Sequence, residues 1–396
     1  MICKITGKEI KSFINFGEMP IANSFLDKSQ FKNEFFFNME AGFSEEISLF
    51  QLNDHPKPKD MFNKKYPFFS GSSKYMEKHF KLYSDYLKKL NNKSNLKIIE
   101  IGSNDGTMLK NFHGNNFKSI GFEPSKNVSD KAKSIGLNSI NEFFNKDIIE
   151  DFKEFHSNTD IIYASNAICH IPDLNNLIEC IDILLNKDGF FVFEEPYLGS
   201  MYEKTSYDQI YDEHIYMFSV ISVKKIFELY NFKLVDVLPQ TTHGGSMRYI
   251  VKRKNQNFKS ENLEKYSNIE KKNNLDNFEW CLKFKENCEK SKLSLRNNLE
   301  KFKSKNLKIC GYAATSKSTT ILNYCKIGPN IIDFICDTTP EKIGKYSPGM
   351  HIPIVNMKTF QNEKPDVAYL FAWNHKNEIF EKEKKYKGKW FSHVAL

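Results

Sequence analysis

Short apolar runs that each end in a turn dominate the middle of the chain: Ile98-Ile99-Glu100-Ile101-Gly102-Ser103-Asn104-Asp105-Gly106, Ile120-Gly121-Phe122-Glu123-Pro124, Asp160 to Ser165 and Gly189 to Glu194. Helical spacing fills the gaps, from about Lys126 to Ser134 and through Leu174 to Leu185. Helix-like Thr107-Met108-Leu109 opens the first crossover, and an amphipathic helix from Lys74 to Leu90 leads into the sheet. This alternation predicts a largely parallel, doubly wound sheet whose ligand lies at the carboxyl ends of the strands. Residues 1–70 read instead as short strands and turns, punctuated at Phe16-Gly17-Glu18-Met19-Pro20 and Asp54-His55-Pro56-Lys57-Pro58. Residues 255–304 are highly charged and lack Pro, as connecting helices with a solvated face would be. A second α/β pattern opens at Leu307 to Ala314. It continues with a helix near Thr319 to Tyr324 and strands at Ile331 to Asp337 and Asp366 to Phe371. The expected division is 1–70, 71–254, 255–304 and 305–396.

The first strand, its glycine loop and the acid Glu123 closing the next strand form a nucleoside-binding half-sheet, with Glu123 placed for a ribose diol. A dinucleotide fingerprint needs a second glycine where Asn104 stands, so that the backbone can approach a pyrophosphate. S-adenosylmethionine has no phosphate, and its sulfonium tolerates polar and acidic neighbours such as Glu100 and Asp105. The loop from Gly102 through Asn104 and Asp105 to Gly106 therefore reads as a methyltransferase loop rather than a dehydrogenase loop. In the last domain the Gly311 turn and Asp337 suggest a dinucleotide site, but Ala313 replaces its second glycine.

A net charge of +8 hints at nucleic acid, yet the Lys residues are scattered among acids without a basic block, and no nucleic-acid partner is expected. The 8 Cys lie apart without a CxxC pair, as reduced thiols do in a cytoplasm. The first residues lack an apolar signal core and no run approaches a membrane span, so a soluble cytoplasmic protein with no membrane partner is expected.

Candidate chemistry follows the last strand of the sheet. Tyr211-Asp212-Glu213-His214 brings a phenol, carboxylates and an imidazole into four residues, a set suited to proton transfer. His170, just past another strand, either meets a substrate or caps its loop. His243-Gly244-Gly245 either lets backbone approach a ligand or makes a plain turn. The His residues look too dispersed for a metal site.

Taken together, these segments resemble the sugar C-methyltransferases that act on nucleotide-linked keto-deoxysugars. The marks are Met19 to Leu26, Tyr66 to Ser70, Glu100 to Gly106, Tyr211 to His214, His243 to Arg248, Gly311 to Lys317 and Pro348 to Pro353. The resemblance implies an α/β protein with a small β-rich N-terminal zinc-binding domain, a central Rossmann-like class I methyltransferase domain and a C-terminal Rossmann-like domain that helps to hold the nucleotide sugar. It also implies S-adenosylmethionine as cofactor, contacted by Gly102, Asp105, Glu123 and Asn166. The implied reaction is deprotonation beside a ketone and attack of the enolate on the methyl group. His214 would be general base, oriented by Glu213, with Tyr211 donating to the enolate oxygen. Tyr66 and His170 would position the sugar, and Ser316 and Lys317 would contact its diphosphate. An O- or N-methyltransferase on the same scaffold and a non-catalytic nucleotide-sugar-binding protein are the alternatives; the nucleotide, the sugar, the methylated atom and the oligomeric state are not legible. The zinc pattern departs from the family: Cys3 remains, while its partner positions hold Thr6, Ser44 and Ile47. No metal is expected, and this domain should rely on apolar residues such as Phe35, Phe36, Phe37 and Phe43.

Overall fold

The computed structural model describes every residue except 92, 115 and 255–259, so the expected boundary at residue 255 lies outside the described residues. Three sheets carry the chain. The first is antiparallel, in the order Lys11–Pro20, Phe36–Ser44, Leu49–Leu52 and then Tyr216–Met217, a strand borrowed from beyond the proton-transfer cluster. Its alternating inward positions bury Phe13, Phe16, Met19, Phe37, Met39, Phe43 and Phe50. Phe35 and Phe36, expected in this core, are instead exposed at 54% and 40%. They sit where the strand begins and Phe36 pairs only with Pro20 at the end of its neighbour, so no second layer covers them.

The central sheet has seven strands in the order Phe232–Gln240, Ser246–Arg253, Leu185–Pro196, Thr159–Ser165, Leu96–Ile101, Phe117–Phe122 and Ser139–Ile140. All pairings from Leu185–Pro196 to Ser139–Ile140 are parallel, and Ser246–Arg253 is antiparallel to both of its neighbours. The helix Lys74–Lys89 buries Met76, Phe80, Tyr83 and Leu87, the i, i+4, i+7 face of an amphipathic helix, and Ser73 caps it by accepting from the Met76 amide. The crossover after the glycine loop holds only a 3-10 turn, Leu109–Phe112, where a helix was expected. His113, extended at its C-cap, ends it after a single turn, which is enough to bury Leu109 and Phe112.

The third sheet is parallel throughout: Ile354–Asn356, Phe334–Asp337, Ile309–Tyr312, Val367–Leu370 and Lys389–Phe391. The connecting helices are Glu261–Lys272 and Glu279–Lys303. Their charged face is solvated, but the longer helix also buries Trp280, Cys281, Phe284, Cys288, Leu295 and Leu299 in one core shared with the first and third sheets. Among the described residues, no helix is long and apolar enough to cross a membrane.

Candidate active site

The loop after Leu96–Ile101 is shaped by two glycines. Gly102 has φ 70°, and a Cβ there would lie 2.5 Å from that of Ala167; Gly106 has φ 78°, and a Cβ would lie 2.3 Å from Leu137. Asn104, between them, also adopts the left-handed region, at φ 47°. Its amide donates to Glu123 Oε2 at 3.0 Å, while the Ser125 amide donates to Oε1 at 2.7 Å. Each carboxylate oxygen keeps a lone pair for a diol. Burial raises the Glu123 pKa, against the pull of these amides. Asn166, at φ 53°, lies at the end of the adjacent strand, and its Oδ1 is buried without a partner, as are Ser103 Oγ and Ser125 Oγ. Unpaired acceptors and hydroxyls around a glycine cradle fit an adenosine-bearing ligand without a diphosphate. Glu100, expected as an acid near the sulfonium, is buried, and Tyr163 donates to it at 2.8 Å; burial raises its pKa well above the ordinary value.

A strap from Tyr66 to Ser72 lies over this loop. The Ser70 amide donates to Asn104 Oδ1 and the Gly71 amide to Asp105 Oδ2, while Asn127 Nδ2 donates to the Tyr66 carbonyl. Tyr66 thereby reaches the proton-transfer cluster, its hydroxyl donating to Glu213 Oε2 at 3.1 Å, and Asn23 Nδ2 donates to Oε1 at 2.7 Å. Glu213 was expected to orient His214, but both of its oxygens are engaged by these two residues. The imidazole is instead fixed by the Gln209 carbonyl, 2.7 Å from Nδ1. A carbonyl only accepts, so Nδ1 carries the proton and Nε2 presents a lone pair. Tyr211 donates its hydroxyl to that lone pair at 2.6 Å, rather than pointing it at a substrate oxygen. Burial first, then nearby His170, holds the His214 pKa well below its ordinary value, so the ring is neutral. Burial raises the Glu213 pKa to about 6 and depresses that of His170 to about 4.

His170 stacks between Phe62 and His214, with ring centroids 5.6 and 5.3 Å away, and its Nε2 is buried without a partner. The fold thus gathers histidines that looked dispersed: Cys169, His170 and His214 offer ligand atoms within 4.8 Å of one another. They do not suit a resident metal. Both nitrogens of His214 are occupied, and two rings inclined by only 22° direct their in-plane lone pairs alongside each other rather than to one point. The N-terminal zinc positions do not fit a metal either. Cys3 and Ile47 are buried in one apolar cluster, and the knuckle around Cys3 is held by Gln51, whose Oε1 accepts from the Lys4 amide and whose Nε2 donates to the Ile2 carbonyl.

The third sheet supplies the far wall. Thr315 caps the helix Ser316–Tyr324. Ser316 Oγ donates to Asn23 Oδ1 at 3.0 Å, joining this helix to the Glu213 cluster. Lys317 is buried at 8% exposure, 3.5 Å from the His243 carbonyl and 3.3 Å from Asn374 Oδ1. His243 has a buried, partnerless Nε2, and burial depresses its pKa to about 3. Gly244 serves packing: at φ 86°, a Cβ would come 2.1 Å from the Trp373 ring. Sequence reasoning missed Gln209, Asn23 and Glu195, and Asn23 stood in a quoted motif without a role. The Glu195 carboxyl accepts the Ala167 and Ile168 amides with one oxygen, its other oxygen is buried without a partner, and burial raises its pKa to about 7.

A glycine cradle beside a buried acid on a seven-stranded sheet, with a buried imidazole beyond the strand ends, suits an S-adenosylmethionine-dependent methyltransferase, and that is the class of this protein. Family models agree in chain order: a zinc binding domain over residues 3–62, a methyltransferase domain over 75–237 and a C-methyltransferase C-terminal domain over 241–394. Together the three matches run from residue 3 to residue 394 of the chain. The C-methyltransferase NovU of Streptomyces niveus is 25% identical over 97% of this chain and 92% of its own. Among solved structures, magnesium protoporphyrin IX methyltransferase from Synechocystis with bound S-adenosylmethionine is 10% identical, covering 45% of this chain and 79% of its own at a TM-score of 0.34. An S-adenosylmethionine-dependent methyltransferase from Leishmania major is 15% identical, covering 46% and 75% at 0.36.

Proposed function

We propose that this methyltransferase C-methylates a nucleotide-linked keto-deoxysugar at a carbon beside its ketone. One observation carries the reading: a buried, neutral imidazole whose Nδ1–H is fixed on a backbone carbonyl and whose Nε2 is held ready by a phenol. Support comes also from the C-methyltransferase domain and from NovU, itself named a C-methyltransferase. A sugar C–H needs a neighbouring ketone to become acidic enough for a side chain to remove.

S-adenosylmethionine, when bound, supplies an electrophilic methyl group. Gly102, Asn104, Asp105, Gly106, Glu123 and Asn166 would hold it, with Glu123 on the ribose. His214 takes the proton through Nε2, directly once Tyr211 has swung aside or by way of the Tyr211 hydroxyl, and the Gln209 carbonyl stabilises the imidazolium that forms. Asn23 gives one amide hydrogen to Glu213 and keeps the other for the sugar, and Tyr66 can turn its single hydroxyl hydrogen from Glu213 to the enolate oxygen. His170, His243 and Gly244 line the remaining wall, and Ser316 and Lys317 meet the diphosphate.

The test uses a 4-keto nucleotide sugar in deuterated buffer. Wild type should exchange the proton beside the ketone and yield a product whose new methyl group is bonded to carbon by NMR. His214→Asn should still bind S-adenosylmethionine but lose about 10²–10⁴-fold of the chemical step. A methyl group on oxygen or nitrogen, or near wild-type turnover by His214→Asn, would falsify the proposal.

A further inference from the structure

Lys342 lies outside the residues considered so far, on the loop that follows Asp337 in the third sheet. Its ammonium donates to the Ala314 carbonyl at 2.8 Å and sits 4.9 Å from the centroid of the Phe25 ring. It makes no ion pair among the described residues, although Asp337, Glu341 and Glu213 all face it. Two of these acids are engaged elsewhere. Asp337 accepts the Ala314 and Thr339 amides, and Glu213 accepts from Tyr66 and Asn23.

Lys317 is in the same condition. Its partners are a carbonyl and an amide oxygen, and the nearby Asp208 carboxylate is taken by His393 and Trp373. Burial lowers the pKa of both lysines. An ammonium withdrawn from water with only neutral partners is costly unless an anion joins it. Lys342 is bonded to the Ala314 carbonyl, two residues before Ser316, and Lys317 directly follows Ser316, so both ammonium groups lie at the turn that opens this helix, whose N-terminus adds positive potential. Beside Lys317 stands His243, with its buried, partnerless Nε2. Two lysines, a hydroxyl and a helix terminus match a group of about two negative charges with several acceptor oxygens.

We infer that Lys342 binds the diphosphate of the substrate together with Lys317. The inference rests on the proposed nucleotide-sugar reading and adds to it a second cation, carried by a different loop from the Ser316–Lys317 turn. Lys342 also lies over the Phe25 ring, so a diphosphate held by it would meet both the third sheet and the N-terminal segment.

Calorimetry with thymidine diphosphate and uridine diphosphate, and with the corresponding nucleosides, tests this on the full chain. Lys342→Met should lose about ten- to a hundredfold of nucleoside diphosphate affinity, Lys342→Arg should restore most of it, and nucleoside binding should not change. S-adenosylhomocysteine affinity, equal in all three proteins, verifies the fold. In turnover, Lys342→Met should raise KM with kcat nearly unchanged. Wild-type diphosphate affinity in Lys342→Met overturns the inference, and so does a collapse of kcat at unchanged KM, which would assign the ammonium to the reacting carbonyl. If wild type binds neither diphosphate, the nucleotide-sugar reading itself falls.

Discussion

At the scale of single residues, the clearest dependence is that of the glycine loop on Glu123, which holds the Asn104 amide and is proposed to face the ribose. Glu123→Ala should weaken S-adenosylmethionine binding by about 1–3 kcal/mol, and calorimetry giving an unchanged affinity would remove Glu123 from the site. As the proposed base, His214 would govern the pH dependence. A base works when neutral, and burial depresses its pKa, so protonation would silence it only below the ordinary histidine value of about 6.5. The acid limb of kcat/KM should therefore lie below pH 6.5, and a limb at or above pH 7 would contradict the buried, neutral imidazole. Glu195 has the opposite displacement. Its folded pKa, about 7, exceeds the ordinary carboxyl value, so its contribution to stability is full below about pH 4.5 and is lost as pH rises through 7. Over that window the contribution is on the order of 3 kcal/mol. Glu195→Gln, which resembles the protonated acid, should flatten the fall of Tm between pH 5 and pH 8; an unaltered slope would mean that the carboxyl is charged in the folded protein.

At the scale of elements, local pattern and long-range partnership were unequally legible. The helices Lys74–Lys89, Lys126–Ser134 and Leu174–Leu184 follow from apolar spacing, and the parallel strands from short apolar runs. The strand Tyr216–Met217 was not legible, because two residues carry no periodicity and its partner Leu49–Leu52 is far away in sequence. The same distance hid the Asn23–Glu213 bond, which spans 190 positions, whereas the Tyr211–His214 bond joins neighbours whose residue types had already suggested proton transfer. Glu270 shows what a connecting helix can contribute. Its carboxyl accepts the Val220 and Ile221 amides and the Tyr197 hydroxyl, capping the helix Val220–Glu228 from outside. Glu270→Ala strands three donors in a dry interior and should cost on the order of 3 kcal/mol, read as a lowered Tm. A Tm within one degree of wild type would show that water replaces the carboxyl.

At the scale of the whole molecule, the first sheet and its turns carry Thr6, Ser44 and Ile47 where the family resemblance places zinc ligands. With no thiolates at these positions, the purified protein should contain no stoichiometric zinc by elemental analysis, and one tightly held zinc per chain would mean that other residues bind it. What holds this sheet is its union with the rest: it packs on Trp280 and Phe284 and completes itself with Tyr216–Met217. That borrowed strand begins two residues after His214. Phe50 faces Met217, Gln51 faces Tyr216, the Leu52 amide donates to the Ile215 carbonyl, and the Ile215 amide donates to the Cys169 carbonyl. A ladder can be shifted only by whole residues, and a shift of one turns every side chain to the opposite face. The imidazole is thus indexed like the tooth of a ratchet: small thermal displacements meet a restoring force, and the next permitted setting points it away from the cleft altogether.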